Sequence, residues 1–425
     1  MVGKRIHFMG VGGAGCSAAF AIAKHVGFQV SGCDKEKGSP YLDKTLSKFV
    51  LTGHSPEHIN GIDLLVYSPA IPSFDQNNEE LSAAQKRGIK AVAWDEFVAD
   101  ELVKNKFVIA IAGTHGKGTV TAMVGVILEK AGLDPNCLIG AVVDDWGRNW
   151  RLGDSKYFVI EADEYSEKLL RFKPKIAAIT NIEFDHPEYF KDFGKMKKVF
   201  EKFVTNLDKD SSLVIGPGVN LISPKGRTIN VVNPVSFNLK MVGRFNKMNA
   251  AIATAAAKVV GIGEEQSRKT LEKFNGLGRR FEFVGEEKGV LVFDDYAHHP
   301  TAISETLKAA REKFPTKKIW LVFQPHLFSR TKALFDDFVD SFSNYLVNQV
   351  LITDIFGSRE KDTGEVSSVD LVKAIGENAK YIPTLEEAAT YIVKEVSVGD
   401  VVITMGAGDI YKLPDRLLEK LQGKG

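Results

Sequence analysis

Cysteine is scarce in this chain, with three among 425 residues. Cys16, Cys33 and Cys137 are too few for a disulfide framework and form no CxxC metal pair, so the expected compartment is a reducing cytoplasm. Long apolar runs are missing as well. No uninterrupted stretch of about 18 apolar residues occurs, so membrane insertion is not expected. The run from Ile6 to Ala23 behind Lys4 and Arg5 has the outline of a signal peptide, but a glycine cluster within it weakens the helix that such a signal needs. Excess charge of one sign is also absent: Lys plus Arg total 55 against 54 Asp plus Glu. No overall basic field therefore exists to attract nucleic acid, and any phosphate chemistry must be local. Repeats and low-complexity segments are absent too. What remains is 44% hydrophobic and 26% charged residues, ordinary for a globular chain long enough for about three domains.

Short apolar runs alternate with helix-length amphipathic segments. Arg5 to Met9, Phe28 to Cys33, Leu64 to Tyr67, Phe107 to Ala112, Tyr157 to Ile160 and Ile176 to Thr180 read as strands, as do Val290 to Phe293, Ile319 to Phe323, Val350 to Thr353 and Val401 to Thr404. Buried parallel strands of this kind predict an α/β fold of doubly wound sheets, with ligand sites beyond the strands' carboxyl ends. Charged or glycine-containing stretches at Asp100 to Lys106 and Gly285 to Gly289 mark expected boundaries, giving domains 1–105, 106–285 and 286–425.

The strand ending at Ala112 runs into Gly113-Thr114-His115-Gly116-Lys117-Gly118-Thr119 and then a helical segment, the setting of a phosphate loop. Glycines let backbone N–H groups curl around phosphate oxygens, the helix N-terminus adds a positive dipole end, and Lys117 supplies charge for the outer phosphates. Thr119 offers a hydroxyl to Mg2+. The loop departs from the common pattern at Ile111, where a glycine is usual, and at Gly118, where a hydroxyl residue is usual. Two acidic strand ends follow, Glu161-Ala162-Asp163-Glu164 and Asn181-Ile182-Glu183-Phe184-Asp185-His186. Hard oxygen ligands near a phosphate loop suit a metal–nucleotide complex.

In this order, Gly113 to Thr119, Glu161 to Glu164 and Asn181 to His186 resemble the central ATPase domain of the Mur ligases and their folylpolyglutamate synthase relatives. The resemblance continues through Gly243 to Ala250, similar to the family's adenine-contacting helix start, with Asn246 and Asn249 matching and Phe245 replacing a common histidine. Arg279-Arg280-Phe281-Glu282 is similar to its phosphate-contacting arginine turn, where Arg280 is the expected contact. Asp294 to Pro300 resembles the C-terminal domain motif, implying ribose contact by Asp295 and substrate-facing Tyr296 and His298. Gln324 to Thr331 resembles the alanine-adding branch, implying that His326 and Arg330 flank the amino acid; Arg330 can grip its carboxylate with two parallel N–H bonds. The tail Gly406 to Ile410 also matches.

The first turn, Gly10-Val11-Gly12-Gly13-Ala14-Gly15, is alone a weak dinucleotide fingerprint. Together with Asp34, His54, Ser68 and Ala70 it resembles the family's UDP-sugar domain, whose pyrophosphate would rest on glycine backbone and a helix N-terminus. The resemblance thus implies a Rossmann-like UDP-binding domain, a phosphate-loop ATPase domain and a Rossmann-like ligase domain. It implies ATP and Mg2+ as cofactors and UDP-N-acetylmuramate and L-alanine as substrates. The lactyl carboxylate would attack the γ-phosphate, and alanine's amine would displace the resulting acyl phosphate. Glu161 and His186 are the implied metal ligands beside Thr119, and His298 or His326 the implied proton acceptor. Closure of the C-terminal domain on the ATP domain would exclude water. The chain would act as a monomer or homodimer in peptidoglycan synthesis. Rival readings are a recycling ligase that attaches a tripeptide, a folylpolyglutamate-type ligase, a non-catalytic nucleotide-binding regulator, and an NAD-dependent oxidoreductase built on the first domain.

Overall fold

The computed structural model describes residues 3–36, 38–231, 237–343 and 346–423. They form two compact units, Met1–Glu183 with Phe193–Lys240 and Lys247–Leu277, and Gly278–Gly425 with Phe184–Asp192 and Met241–Asn246.

The first unit holds two sheets. In one, the strands run Val50–Thr52, Gln29–Asp34, Arg5–Met9, Leu64–Tyr67, Ala91–Ala93, every pair parallel. Strand order reverses on either side of Arg5–Met9, which opens a crevice at its carboxyl end where the glycine turn begins. In the other, the order is Arg227–Asn230, Ser212–Ile215, Ile176–Ile179, Phe107–Ala112, Tyr157–Glu161, Asn136–Val143, Arg148–Arg151. Its central strand, Phe-Val-Ile-Ala-Ile-Ala, is buried over Val108–Ala112, as expected of a strand covered by helices on both faces. The covering helix Phe193–Thr205 buries Met196, Val199, Phe200, Phe203 and Val204, one stripe at helical spacing.

The second unit holds one sheet in the order Glu282–Glu287, Val290–Asp295, Val401–Met405, Ile319–Phe323, Gln349–Ile352, Ala379–Tyr381. Its helices start on sequence signals. Ser367 with Asp370 and Thr384 with Glu387 form capping boxes, and Pro300 opens a helix whose N-cap, His299, accepts from the Thr301 N–H.

The parallel strands expected from sequence are present, and the α/β class stands. Two edge pairs are antiparallel instead, Asn136–Val143 with Arg148–Arg151 and Glu282–Glu287 with Val290–Asp295. The second pair bears on the expected boundary after residue 285, which falls inside this hairpin. Glu287 pairs with Val290 across Lys288 and Gly289, at φ +47° and +75°. Two consecutive positive φ values make the two-residue turn that joins twisted strands, so the stretch Gly285 to Gly289, where a boundary is expected, contains a hairpin tip.

Candidate active site

In the first unit the chain turns sharply between strand Phe107–Ala112 and helix Lys117–Lys130. Gly113 has φ +129°, and a Cβ there would lie 2.1 Å from Thr180 Oγ1; Gly116, the helix N-cap, has φ +79°, and a Cβ would lie 2.5 Å from Asn249 Oδ1. Glycine is required at both for conformation and for space. No side chain caps the helix, so its first-turn N–H groups face the loop with the positive end of the dipole, an anion site in physical terms. The loop is braced from the next strand end: Asn181 accepts the His115 N–H at 2.9 Å, Thr180 Oγ1 donates to His115 O at 2.6 Å, and Thr114 Oγ1 donates to Glu183 O at 2.9 Å. The His115 ring meets Glu183 at 3.2 Å.

Lys117 is the loop's only cation. Its ammonium donates to Gly113 O at 2.7 Å and to the fully buried Glu164 at 2.7 Å. Burial disfavours its charge, yet Glu164, Asp163 and Glu161 overcome this and push its pKa up. Glu161 stands against the loop as expected, since a Cβ on Gly118 would lie 3.3 Å from its Oε2, which accepts the Gly140 N–H at 2.7 Å. Thr119 is buried in the first helical turn. Hydroxyl and carboxylate oxygens are the donor set that suits Mg2+ rather than a softer ion. Asn249, also buried, borders the same turn.

At the N-terminal glycine turn three of the four glycines, Gly10, Gly12 and Gly15, answer a close approach. A Cβ on Gly10 would meet Ser68 at 2.9 Å, on Gly12 Asp34 Oδ2 at 2.8 Å, and on Gly15 the Trp94 ring at 2.3 Å. Gly13 is the uncapped N-cap of helix Ala14–His25. Asp34 accepts the Gly12 N–H at 2.8 Å, so it shapes the turn, and Ser68 sits just ahead of Ala70, the first residue of a short helix. His54 is turned inward: its Nδ1 lies 3.2 Å from Cys33 Sγ and 3.3 Å from the buried Glu80.

The second unit gathers the remaining candidates at the carboxyl ends of its strands. Arg330, expected to grip a substrate carboxylate, is 1% exposed. Its Nε donates to Asp185 at 2.8 Å, and Nη1 lies 3.2 Å from His326 Nδ1. Burial opposes charge on Asp185, but Arg330 holds its carboxyl well below the usual range. Because a guanidinium only donates, His326 Nδ1 must accept and its proton sits on Nε2. In His298 the arrangement is reversed: Nδ1 meets the Tyr296 carbonyl at 2.9 Å, so Nδ1 carries the proton and Nε2 keeps a lone pair. The two rings are 6.0 Å apart. Burial, then Arg330, keeps His298 well below the ordinary histidine pKa; burial, then Arg330 and Arg359, brings His326 to about 4. Both are neutral at pH 7. Of the two rings, His298 is the one whose Nε2 carries the free lone pair in this arrangement.

His186 also lies in this unit, at φ +57°, with Nδ1 3.1 Å from Glu188. Arg279, Phe281 and Leu327 adopt positive φ as well, strained conformations of the kind that cluster at functional sites. Arg279 pairs with Asp294 at 2.8 Å and donates to Gly406 O at 2.7 Å, while Arg280 lies over the Tyr296 ring at 5.4 Å and forms no ion pair among the described residues. The buried Asp295, expected at a ribose, is engaged by backbone: its oxygens accept the Phe281 and Ala297 N–H groups, each at 2.7 Å. Burial raises its pKa to about 6. It holds the arginine turn. Asn246 donates to Val242 O at 2.8 Å at the start of its helix. Gln324 ties the tail motif down, donating to Asp409 at 2.8 Å and accepting the Ile410 N–H.

Glu164 and Asp185 are the buried carboxylates, paired with Lys117 and Arg330, that motif reading passed over. Both stand in the acidic strings singled out from sequence, three residues from Glu161 and one from His186, and only burial beside a cation distinguishes them.

Three segments match family domains in order: residues 5–105 the Mur ligase family catalytic domain, 111–220 the Mur ligase middle domain, and 279–408 the Mur ligase glutamate ligase domain. The UDP-N-acetylmuramate--L-alanine ligase of Acetivibrio thermocellus is 39% identical, covering 99% of this chain and 96% of that protein. Among solved structures, the UDP-N-acetylmuramate-alanine ligase of Thermotoga maritima superposes with a TM-score of 0.82 at 27% identity, covering 99% of this chain and 100% of the other. A murein peptide ligase from Psychrobacter arcticus gives 0.72 at 25% identity, covering 99% of both chains.

Proposed function

The chain belongs to the Mur ligase family, and we propose that it joins L-alanine to UDP-N-acetylmuramate in an ATP-dependent, ADP-forming reaction of peptidoglycan synthesis. The observation that carries this reading is the 39% identity, over nearly the whole of both chains, to a relative that bears that activity in its name. Enzymes of the family are ATP-dependent. We place the reaction in the cytoplasm; no helix among the described residues is long and apolar enough to cross a membrane.

The chemistry asks for three things. A carboxylate must approach a triphosphate, so negative charge has to be neutralised at the γ-phosphate. In the first unit this is assigned to Lys117 and the uncapped first-turn N–H groups of helix Lys117–Lys130; in the second, the resemblance assigns Arg280 to phosphate. Thr119 and Glu161 of the first unit would hold Mg2+, which when bound would supply added charge neutralisation on the phosphate oxygens. Glu164 holds Lys117 in place until phosphate competes for it.

Next, alanine must arrive with a carboxylate held and an amine deprotonated. Arg330 keeps its charge in a buried setting because Asp185 balances it, and its Nη groups are assigned to the amino-acid carboxylate. His298 Nε2 accepts the amine proton, and an incoming anion raises that nitrogen's basicity. His326 positions Arg330 through Nδ1. Finally, the UDP moiety is assigned to the Gly10–Gly15 turn with Ser68 and Ala70.

Phosphate release with ATP and UDP-N-acetylmuramate, compared across L-alanine, glycine, L-serine and a tripeptide, tests the reading. L-Alanine should give the highest kcat/KM. Preference for the tripeptide would move the chain to the recycling branch, and turnover of none would remove the ligase assignment.

A further inference from the structure

Behind the N-terminal glycine turn, one fully buried carboxylate is ringed by three imidazoles and a thiol. Glu80, 0% exposed on helix Glu79–Lys86, has His7 Nε2 at 3.0 Å, His58 Nδ1 at 3.6 Å and His54 Nδ1 at 3.3 Å. Cys33 Sγ lies 3.3 Å from Glu80 Oε2 and 3.2 Å from His54 Nδ1. One ligand atom from each of His7, Cys33, His58 and Glu80 falls within 4.8 Å of every other. These residues come from strands Arg5–Met9 and Gln29–Asp34, the loop after Val50–Thr52, and helix Glu79–Lys86.

We propose that His7, Cys33, His58 and Glu80 form a structural site for a thiophilic divalent cation, Zn2+ by its chemistry, that clamps the glycine turn to the helix behind it. Tetrahedral bonds of about 2.0–2.1 Å to nitrogen or oxygen and about 2.3 Å to sulfur set ligand atoms roughly 3.3–3.6 Å apart. From the single oxygen Glu80 Oε1, His58 Nδ1 and Cys33 Sγ stand at 3.6 Å, within that span, and His7 Nε2 at 3.0 Å, a few tenths inside it.

A second observation points to a cation. His7 Nε2 and His58 Nδ1 are buried without a hydrogen-bond partner, although each stands close to Glu80. His7 Nδ1 meets Ser31 Oγ at 2.8 Å; with the proton there, donated to the hydroxyl, the Nε2 lone pair is directed inward. This is how an outer partner orients a metal-bound imidazole. Two lone pairs aimed at a carboxylate in a dry cluster repel unless positive charge lies between them. The mixed S, N and O set selects zinc over magnesium or calcium. The clamp reaches function through one residue: the Cys33 carbonyl accepts the N–H groups of both Gly10 and Val11, at 2.9 and 3.2 Å, so a fixed Cys33 fixes the turn. Neither the position nor the chemistry of this cluster depends on the ligase reading.

The test uses the untagged full-length chain. Purified from zinc-supplemented culture and gel-filtered, it should retain one equivalent of zinc by elemental analysis. Cobalt added to chelator-treated protein without nucleotide should give tetrahedral d–d bands with a thiolate charge-transfer band. Cys33→Ser should lose the charge-transfer band, and His58→Gln, the least buried ligand, should weaken cobalt binding by at least about tenfold. Circular dichroism of both variants checks that they fold. Substoichiometric zinc with no cobalt spectrum would leave a protonated His–Glu cluster and overturn the proposal. So would cobalt bands that both folded variants retain.

Discussion

Replacing Asp185 by Asn tests the electrostatics of the second unit most sharply, because it removes a charge while keeping the shape. The Asp185 and Arg330 side chains are 6% and 2% exposed and 2.8 Å apart. Removing one member of such a pair strands the other charge in a low-dielectric interior, at a typical cost of about 3–5 kcal/mol. Asn retains an acceptor, so the low end applies, about 3 kcal/mol or roughly 6–12 °C in Tm for a unit of this size. The pH dependence has a definite sign. Since the folded carboxyl titrates well below its usual value, its stabilisation is complete above the unfolded pKa of about 3.9 and is lost as pH falls toward the folded one. The gap in Tm between native chain and variant should therefore be constant near neutrality and narrow below about pH 4. Calorimetry across pH provides both readings. The double variant Asp185→Leu with Arg330→Met should melt closer to the native chain than either single change, because it removes both charges. An Asp185→Asn chain that melts within a degree of the native one, or a double variant whose loss is the sum of the singles, would refute the buried-pair reasoning.

Other outcomes follow from single contacts. Lys117→Ala should lower kcat for ATP-dependent ligation by about 10²–10³ or more with the fold intact by circular dichroism; near-normal turnover would end the phosphate-loop role. His298→Gln should reduce kcat far more than it raises KM for L-alanine, whereas His326→Gln, acting through Arg330, should chiefly raise that KM. Because His298 and His326 are held below the ordinary pKa of 6.5, with His326 at about 4, the neutral-state stability they contribute is present above about pH 6.5 and lost as pH falls from there toward 4. A double glutamine variant should flatten that part of the Tm profile. Gly15→Ala forces a Cβ to within 2.3 Å of the Trp94 ring and should cost about 1–3 kcal/mol, measured by urea unfolding; an unchanged midpoint would mean the ring moves freely.

Strands and the phosphate loop were legible because their signals are local. Phe107–Ala112 is an unbroken apolar run, and Gly113 to Thr119 follows it directly, so period and punctuation suffice. The hairpin at Lys288-Gly289 was not legible because a two-residue turn and a domain junction share glycine and charge; only the pairing of Glu287 with Val290 shows the turn. Partner choice was the least readable level. Asp185 meets Arg330 across 145 residues, and nothing in either neighbourhood names the other. Asp295 shows the same limit: its motif marks it as important, but whether its oxygens face a ribose or the Phe281 and Ala297 amides is fixed by tertiary folding. Nothing in the sequence around His7 or His58 points to Glu80 and Cys33; tertiary folding alone brings the four together.

The central claim is that the carboxylate of UDP-N-acetylmuramate takes the γ-phosphoryl group before alanine displaces it. Oxygen-18 placed in that carboxylate reports the step directly, since phosphorylation leaves a labelled bridging oxygen on the departing phosphate. Mass analysis of phosphate released with ATP and L-alanine should find one labelled oxygen per phosphate. Unlabelled phosphate accompanying genuine amide product would contradict the acyl-phosphate route.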